Sequence, residues 1–228
     1  MSQIPLSLRK KLSYNPKSFV WHEGVKKIQE EVFSDTPRTI FRPYFIQGAP
    51  RSGKTHLSFT IAEEFRSQEV SIKLISGHQQ FIRSLDQRDF HEVGVVIFDA
   101  AEETLRELSP EDSGTMIDFF EQAKSAANTL LIISNDHYLD ANLDQHLLSR
   151  FKITSELSIG DPSDKEVIDL VSTLALQRGI KLKAQQLSYL APRLPKAIED
   201  IEQFLERLSY LAVSSNSSIN RNTISKAL

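Results

Sequence analysis

The chain has 228 residues, with 27 Lys and Arg against 30 Asp and Glu, a formal charge of −3, 40% hydrophobic and 25% charged residues, and no cysteine. This is the composition of an ordinary globular protein, and it excludes a disulfide framework and a thiolate zinc site. The charge balance argues against strong DNA binding by this chain alone, which needs clustered Lys and Arg. The longest apolar runs, Val93 to Phe98 and Leu130 to Ile133, are too short to span a bilayer, and the first twenty residues lack a signal-peptide core, so a cytoplasmic protein is expected.

Residues 2–8 (SQIPLSL) place Gln3, Ile4, Leu6 and Leu8 ahead of the basic Arg9-Lys10-Lys11. Such a stretch is either a frayed terminus or a linear peptide that sets its leucines into an apolar pocket of a partner. Residues 12–21 lack periodicity and read as a loop. Its Phe19 and Trp21 either hold a base or pack as core. From His22 to Phe33, Val25, Ile28, Val32 and Phe33 recur at three- to four-residue spacing, which predicts an amphipathic helix.

Tyr44 to Leu57 reads YFIQGAPRSGKTHL. A short apolar strand turns through Gly48, Ala49, Pro50, Arg51, Ser52 and Gly53, then closes with Lys54 and Thr55 at the start of a helix. This is G-x-x-x-x-G-K-[ST], the phosphate-binding loop. The glycines let successive N–H groups point at an anion, and the helix directs its positive end at the same place. Lys54 is expected to reach the outer phosphates and the Thr55 hydroxyl to ligate Mg²⁺. ADP or ATP with Mg²⁺ is the predicted cofactor, and the spacing predicts a helix over residues 54–65.

Val70 to Ile75 alternates as a strand, Phe81 to Leu85 is a short helical piece, and Val93 to Phe98 is a buried strand ending at Asp99. An acid at the end of a buried strand downstream of a phosphate loop is the expected partner of the Mg²⁺ ion. ATPases of this layout often place a second carboxylate next, to orient or deprotonate water. Here that position is Ala100, with Glu102 and Glu103 on another part of the turn, so poor intrinsic hydrolysis is expected. Ser109 to Asp112 resembles a helix start, and Met116, Ile117, Phe119, Phe120 and Ala123 fill the helix after it. Asn128 to Ser134 is a further buried strand, and Ser134, Asn135 and Asp136 at its end either lie near a γ-phosphate or form a capping turn. Residues 143–151 read as a helix whose last turn carries Arg150, and Thr154 to Ile159 as a last strand. Arg150 is either an ordinary solvated Arg or a donor to phosphate on a neighbouring molecule.

Gly160-Asp-Pro-Ser163 marks a domain boundary, and all that follows reads as helix: 165–178, 184–193, 196–212 and 222–228. Lys196, placed at the start of the third of these, could face the nucleotide. No histidine pair has metal-ligand spacing. The expected organisation is a tail over 1–11, an α/β nucleotide-binding domain over 12–160 and a small all-α domain over 161–228.

The order of these parts resembles an AAA+ domain of the DnaA family, and most nearly the Hda-like regulators within it. GAPRSGKTHL at 48–57, IISND at 132–136, HLLSRF at 146–151, RGIKL at 178–182 and RLPKAIEDI at 193–201 carry the likeness. DnaA initiators have a further C-terminal DNA-reading domain and a long insertion between the second and third strands. Neither is in this chain, where only Ser76 to Glu92 separates those strands, as in Hda-like proteins. The resemblance implies a P-loop AAA+ fold with a parallel five-stranded sheet and a helical lid. It implies that QIPLSL is a sliding-clamp-binding peptide, with DNA met only through the clamp, and that DnaA is the partner. Arg150 would be an arginine finger acting in trans to promote ATP hydrolysis on DnaA and so inactivate it. Asp136 would match the first sensor and Lys196 the second. A nucleoid-associated protein and a homo-oligomer are compatible with it. Three positions depart from the pattern: Ala100, Lys196 in place of Arg, and His146 where DnaA has a second Arg. A helicase-loader-type ATPase and a non-catalytic DnaA-recruiting adaptor are the competing readings.

Overall fold

A computed structural model describes residues 14–34, 40–86, 90, 93–108, 113–214 and 219–228. The tail residues Gln3, Ile4, Leu6 and Leu8, and the predicted helix start at 109–112, lie outside the described residues. The chain divides into two compact units. One comprises residues 23–160. The other is made of residues 161–228, with the described residues 14–22 grouped to it. The α/β unit thus begins at Glu23 rather than at residue 12. The reason is local packing: Val20 sits against the apolar core of the C-terminal unit.

The α/β unit runs α1 (Glu23–Val32), β1 (Arg42–Gln47), α2 (Lys54–Ser67), β2 (Ile72–Ser76), α3 (Gly77–Asp86), β3 (Val95–Asp99), α4 (Glu102–Glu107), α5 (Ser113–Ala126), β4 (Thr129–Ser134), α6 (Gln145–Phe151) and β5 (Ser155–Ser158). The five strands form one parallel sheet in the order β2-β3-β4-β1-β5. The inner strands β1, β3 and β4 are buried along nearly their whole length, because helices cover both faces and no side-chain row meets water. Alternation divides their residues between the faces. Phe45, Val96, Phe98, Leu130 and Ile132 join a core with Phe81, Phe119 and Phe151. The intervening Tyr44, Ile46, Ile97, Leu131 and Ile133 are buried as well.

The strand order decides where the chemistry meets. β1 lies beside β4 with Gln47 level with Ser134, and β3 lies on the other side of β4 with Phe98 level with Ile132. All three strands end at one edge of the sheet. The phosphate loop, Asp99 and the Ser134-Asn135-Asp136 run therefore emerge side by side, at the carboxyl ends where ligands of open α/β sheets bind.

α4 is absent from the sequence-based expectation. It is a six-residue helix with only Thr104 and Leu105 buried, too short to leave a periodic signal. α3 begins at Gly77, earlier than Phe81, because Gly77 takes a left-handed φ of 73° straight after β2.

The C-terminal unit contains α7 (Glu166–Gln177), α8 (Ala184–Leu190), α9 (Ile198–Ser214) and α10 (Arg221–Ala227). Leu170, Leu174, Leu190, Ile201, Phe204 and Leu208 are among the residues of its core. Glu166 opens α7 by accepting from the Ser163 N–H at 2.8 Å, and Asn220 caps α10 through the N–H groups of Asn222 and Thr223. Among the described residues no helix is long and apolar enough to cross a membrane.

Candidate nucleotide site

The loop from Gly48 to Gly53 has the backbone that its glycines predict. Gly53 sits at φ 90° and Arg51 at φ 60°, both left-handed. A Cβ on Gly48 would lie 2.6 Å from Ser52 Oγ and 3.2 Å from Ile159, so this close approach admits glycine alone. The Gly48 N–H donates to Ser134 O at 3.1 Å and ties the loop to the end of β4. α2 begins immediately after Gly53 with no side-chain cap, leaving its first N–H groups facing the loop.

Lys54 is buried at 8% exposure. Its ammonium donates to Gly48 O at 2.8 Å and Ala49 O at 2.5 Å. Burial lowers its pKa, and Glu102, Asp99 and Asp136, in that order, oppose the shift. An ammonium held by neutral carbonyl acceptors makes a stronger, charge-assisted bond to a phosphate than to these carbonyls.

Asp99 is 2% exposed. Burial pushes its carboxyl up; Thr55, the Ala100 N–H and Ser58 donate to it and hold the ionised form, while Glu102 raises it again. The Thr55 hydroxyl and the Asp99 carboxylate thus face each other. Among the described residues no group of three His, Cys, Asp or Glu could hold a metal by itself. An ion carried mainly by phosphate oxygens and water would take Thr55 as one ligand and Asp99 as an outer-sphere acceptor. Such an ion would neutralise phosphate charge.

The buried Asp99 has a testable consequence. Its folded pKa is raised, so the native state holds this proton more tightly than the unfolded chain. Stability is lost as pH rises through the folded value, and at neutral pH the ionised group is a standing cost. Asp99→Asn is expected to raise Tm at pH 7 without nucleotide, by about 2–4 °C for each kcal/mol recovered, while removing the Mg²⁺ dependence of nucleotide binding. Differential scanning calorimetry with and without Mg²⁺ measures both.

Ala100 adopts φ 55°, a left-handed conformation uncommon for a residue with a Cβ, and it turns the chain from β3 into α4. It carries no group for proton transfer. Glu102, assigned from the sequence to a different part of the turn, belongs to this site. Its carboxylate accepts from Asn135 Nδ2 at 2.6 Å and from the Asn135 N–H at 3.2 Å. Asp136, next in the chain, pairs with Arg106. Sequence reasoning named Glu102 without placing it at this site, and it missed Arg106. Their E-x-x-x-R spacing just past the Asp99 strand end was the available signal, since residues four apart share a helix face.

Arg150 is not free. Its Nε and Nη2 donate to Glu121 Oε1 at 3.2 and 3.0 Å, and its Nη1 to His146 O at 3.1 Å. α6 is anchored beneath it by Phe151, which stacks on Tyr138 at 4.8 Å and meets Phe45 and Phe120 edge-on. Lys196 belongs to the C-terminal unit. It lies two residues ahead of α9 rather than on its first turn, and donates to Asp164 at 2.8 Å. Phe19 and Trp21 are half-buried in that unit and meet edge-on at 5.0 Å.

No protein-family model matches the chain. Over 213 residues it is 22% identical to the chromosomal replication initiator protein DnaA of Latilactobacillus sakei, a match covering 86% of this chain and 46% of that protein. Domain III of Thermotoga maritima DnaA superposes with a TM-score of 0.70 at 15% identity, covering 94% of this chain and 95% of that one. The fold is that of DnaA domain III. AMPPCP-bound DnaA from Aquifex aeolicus matches with a TM-score of 0.66 at 16% identity, over 96% of this chain and 81% of that one. The Thermotoga maritima RuvB branch-migration motor matches with a TM-score of 0.66 at 16% identity, over 95% and 71%. The chain is similar to part of DnaA over most of its own length and spans about half the length of the curated relatives it matches. The DnaA fold accounts for the strand order and for the shared edge at which the phosphate loop, Asp99 and Asp136 emerge.

Proposed function

We propose that this chain is a nucleotide-binding regulator of chromosomal replication initiation, similar to the Hda-like proteins. It binds the sliding clamp through Gln3, Ile4, Leu6 and Leu8 and promotes ATP hydrolysis on DnaA through Arg150. Gly48, Pro50, Arg51, Ser52, Gly53, Lys54 and Thr55 hold ADP or ATP, Asp99 and Thr55 serve Mg²⁺, and Asp136 and Lys196 sense the nucleotide. The observation that supports this reading best is the pairing of Thr55 with a buried Asp99 beside Lys54, followed by an Ala100 with no carboxylate. The site is built to hold a nucleotide, and its usual water-orienting position is empty of chemistry.

The test is a comparison of hydrolysis rates. The chain alone is expected to turn ATP over close to background. Added to ATP-bound DnaA with clamp loaded on DNA, it is expected to raise hydrolysis, and Gln3→Ala is expected to weaken that rise. Clamp and DnaA binding without a change in rate would replace this reading with that of an adaptor. One observation favours a second reading, a self-acting ATPase of the helicase-loader type: Glu102 stands among the carboxylates bearing on Lys54. Strong turnover with DnaA and clamp absent, removed by Glu102→Gln, would establish it.

A further inference from the structure

α4 grips the end of β4 twice. Glu102 in its first turn takes the side chain and N–H of Asn135, and Arg106, one turn later on the same face, takes the carboxylate of Asp136. The P-loop is joined to this strand end through the Gly48 N–H on Ser134 O, and Gln47 Nε2 reaches Asn135 O at 3.5 Å. The charge around Lys54 is lopsided. Asp99, Glu102 and Asp136 all act on its ammonium. Any anion received by Lys54 enters the field of these carboxylates, and each additional phosphate charge meets it more strongly. Arg106 is the cation that offsets Asp136.

The Arg106 side chain is 64% exposed and that of Asp136 is 37% exposed. A pair so open to water adds little to folding stability. Its consequence falls instead on the charge presented to a ligand. We propose that Arg106 is a positioning residue that, by neutralising and holding Asp136, sets the preference of the P-loop for nucleoside triphosphate over diphosphate. This rests on the nucleotide reading of the loop and deepens it. Glu102 holds the neighbouring Asn135, so the backbone of this turn stays in place when Arg106 is removed. Without Arg106, the uncompensated carboxylate repels the more highly charged nucleotide first.

The experiment measures Mg-ATP and Mg-ADP dissociation constants for wild type, Arg106→Ala and Arg106→Lys, with Tm recorded for each. Arg106→Ala is expected to lower the ATP-to-ADP affinity ratio about fivefold, the scale of one screened charge at close range. Tm should barely move. Arg106→Lys should keep most of the ratio, because it keeps the charge beside Asp136. The deficit should shrink when the salt is raised from about 0.05 to about 0.5 M, since an exposed charge is screened. An unchanged ratio in an Arg106→Ala variant that still binds both nucleotides, or a deficit that does not shrink with salt, would overturn this inference alone. If the wild type binds neither nucleotide, the nucleotide reading fails and takes this one with it.

Discussion

Arg150→Ala is expected to abolish the stimulation of ATP hydrolysis on DnaA while leaving the binding of nucleotide, clamp and DnaA intact. An arginine supplied in trans stabilises charge on the transferring phosphoryl, and losing it costs on the order of 10³-fold in rate where such a finger operates. The surroundings of Arg150 suit that task. It lies on the last turn of α6, whose neighbour Phe151 is clamped among Tyr138, Phe45 and Phe120, so its backbone is fixed by aromatic packing. Its guanidinium rests on Glu121, whose side chain is 54% exposed. An ion pair this open to water contributes about 0–1 kcal/mol and is readily exchanged for a phosphate. Arg150→Lys should not rescue, because an ammonium lacks the planar fork that meets two phosphate oxygens. Single-turnover hydrolysis by ATP-bound DnaA, with clamp-loaded DNA present, gives the answer. A full rise with Arg150→Ala would remove the finger assignment.

Lys54→Ala is expected to remove measurable nucleotide binding. The ammonium is buried and makes its bonds to Gly48 O and Ala49 O, so it both supplies the charge and braces the loop. A charge-assisted bond to phosphate is about twice as strong as a neutral one, and here it acts in a desolvated setting. The readout is thermal. Nucleotide at about 100 times its dissociation constant stabilises the wild type by about 2.7 kcal/mol, and the variant should show no such shift in Tm on adding ADP or ATP. An equal shift in the variant would mean that the ligand is held elsewhere.

Much of this protein could be read without coordinates, for a physical reason. The phosphate loop is largely a local device: Gly53 is needed by the backbone itself, Gly48 lies tight against Ser52, and Lys54 and Thr55 lie within the same few residues. The inner strands were visible as continuous apolar runs and β2 by alternation, β5 was read as a last strand, and helical spacing over 165–178 and 196–212 marked the C-terminal unit as α. The two compact units divide between Gly160 and Asp161.

What the sequence could not carry was which distant residues become neighbours. Strand order is set by long-range pairing, and it alone places the end of β4 between β1 and β3. That placement brings Asn135 to Glu102 and Asp136 to Arg106 across some thirty positions of chain, through a helix too short to announce itself by periodicity. It also gives Arg150 to Glu121 and groups residues 14–22 with the C-terminal unit through Val20. The sequence by itself determined that a phosphate loop, a strand-end acid and an all-helical C-terminal unit would be present, because each is written in local spacing and local chemistry. Tertiary structure decided which charges face Lys54, because that depends on packing the sheet edge against α4, and no short window of the chain contains both partners.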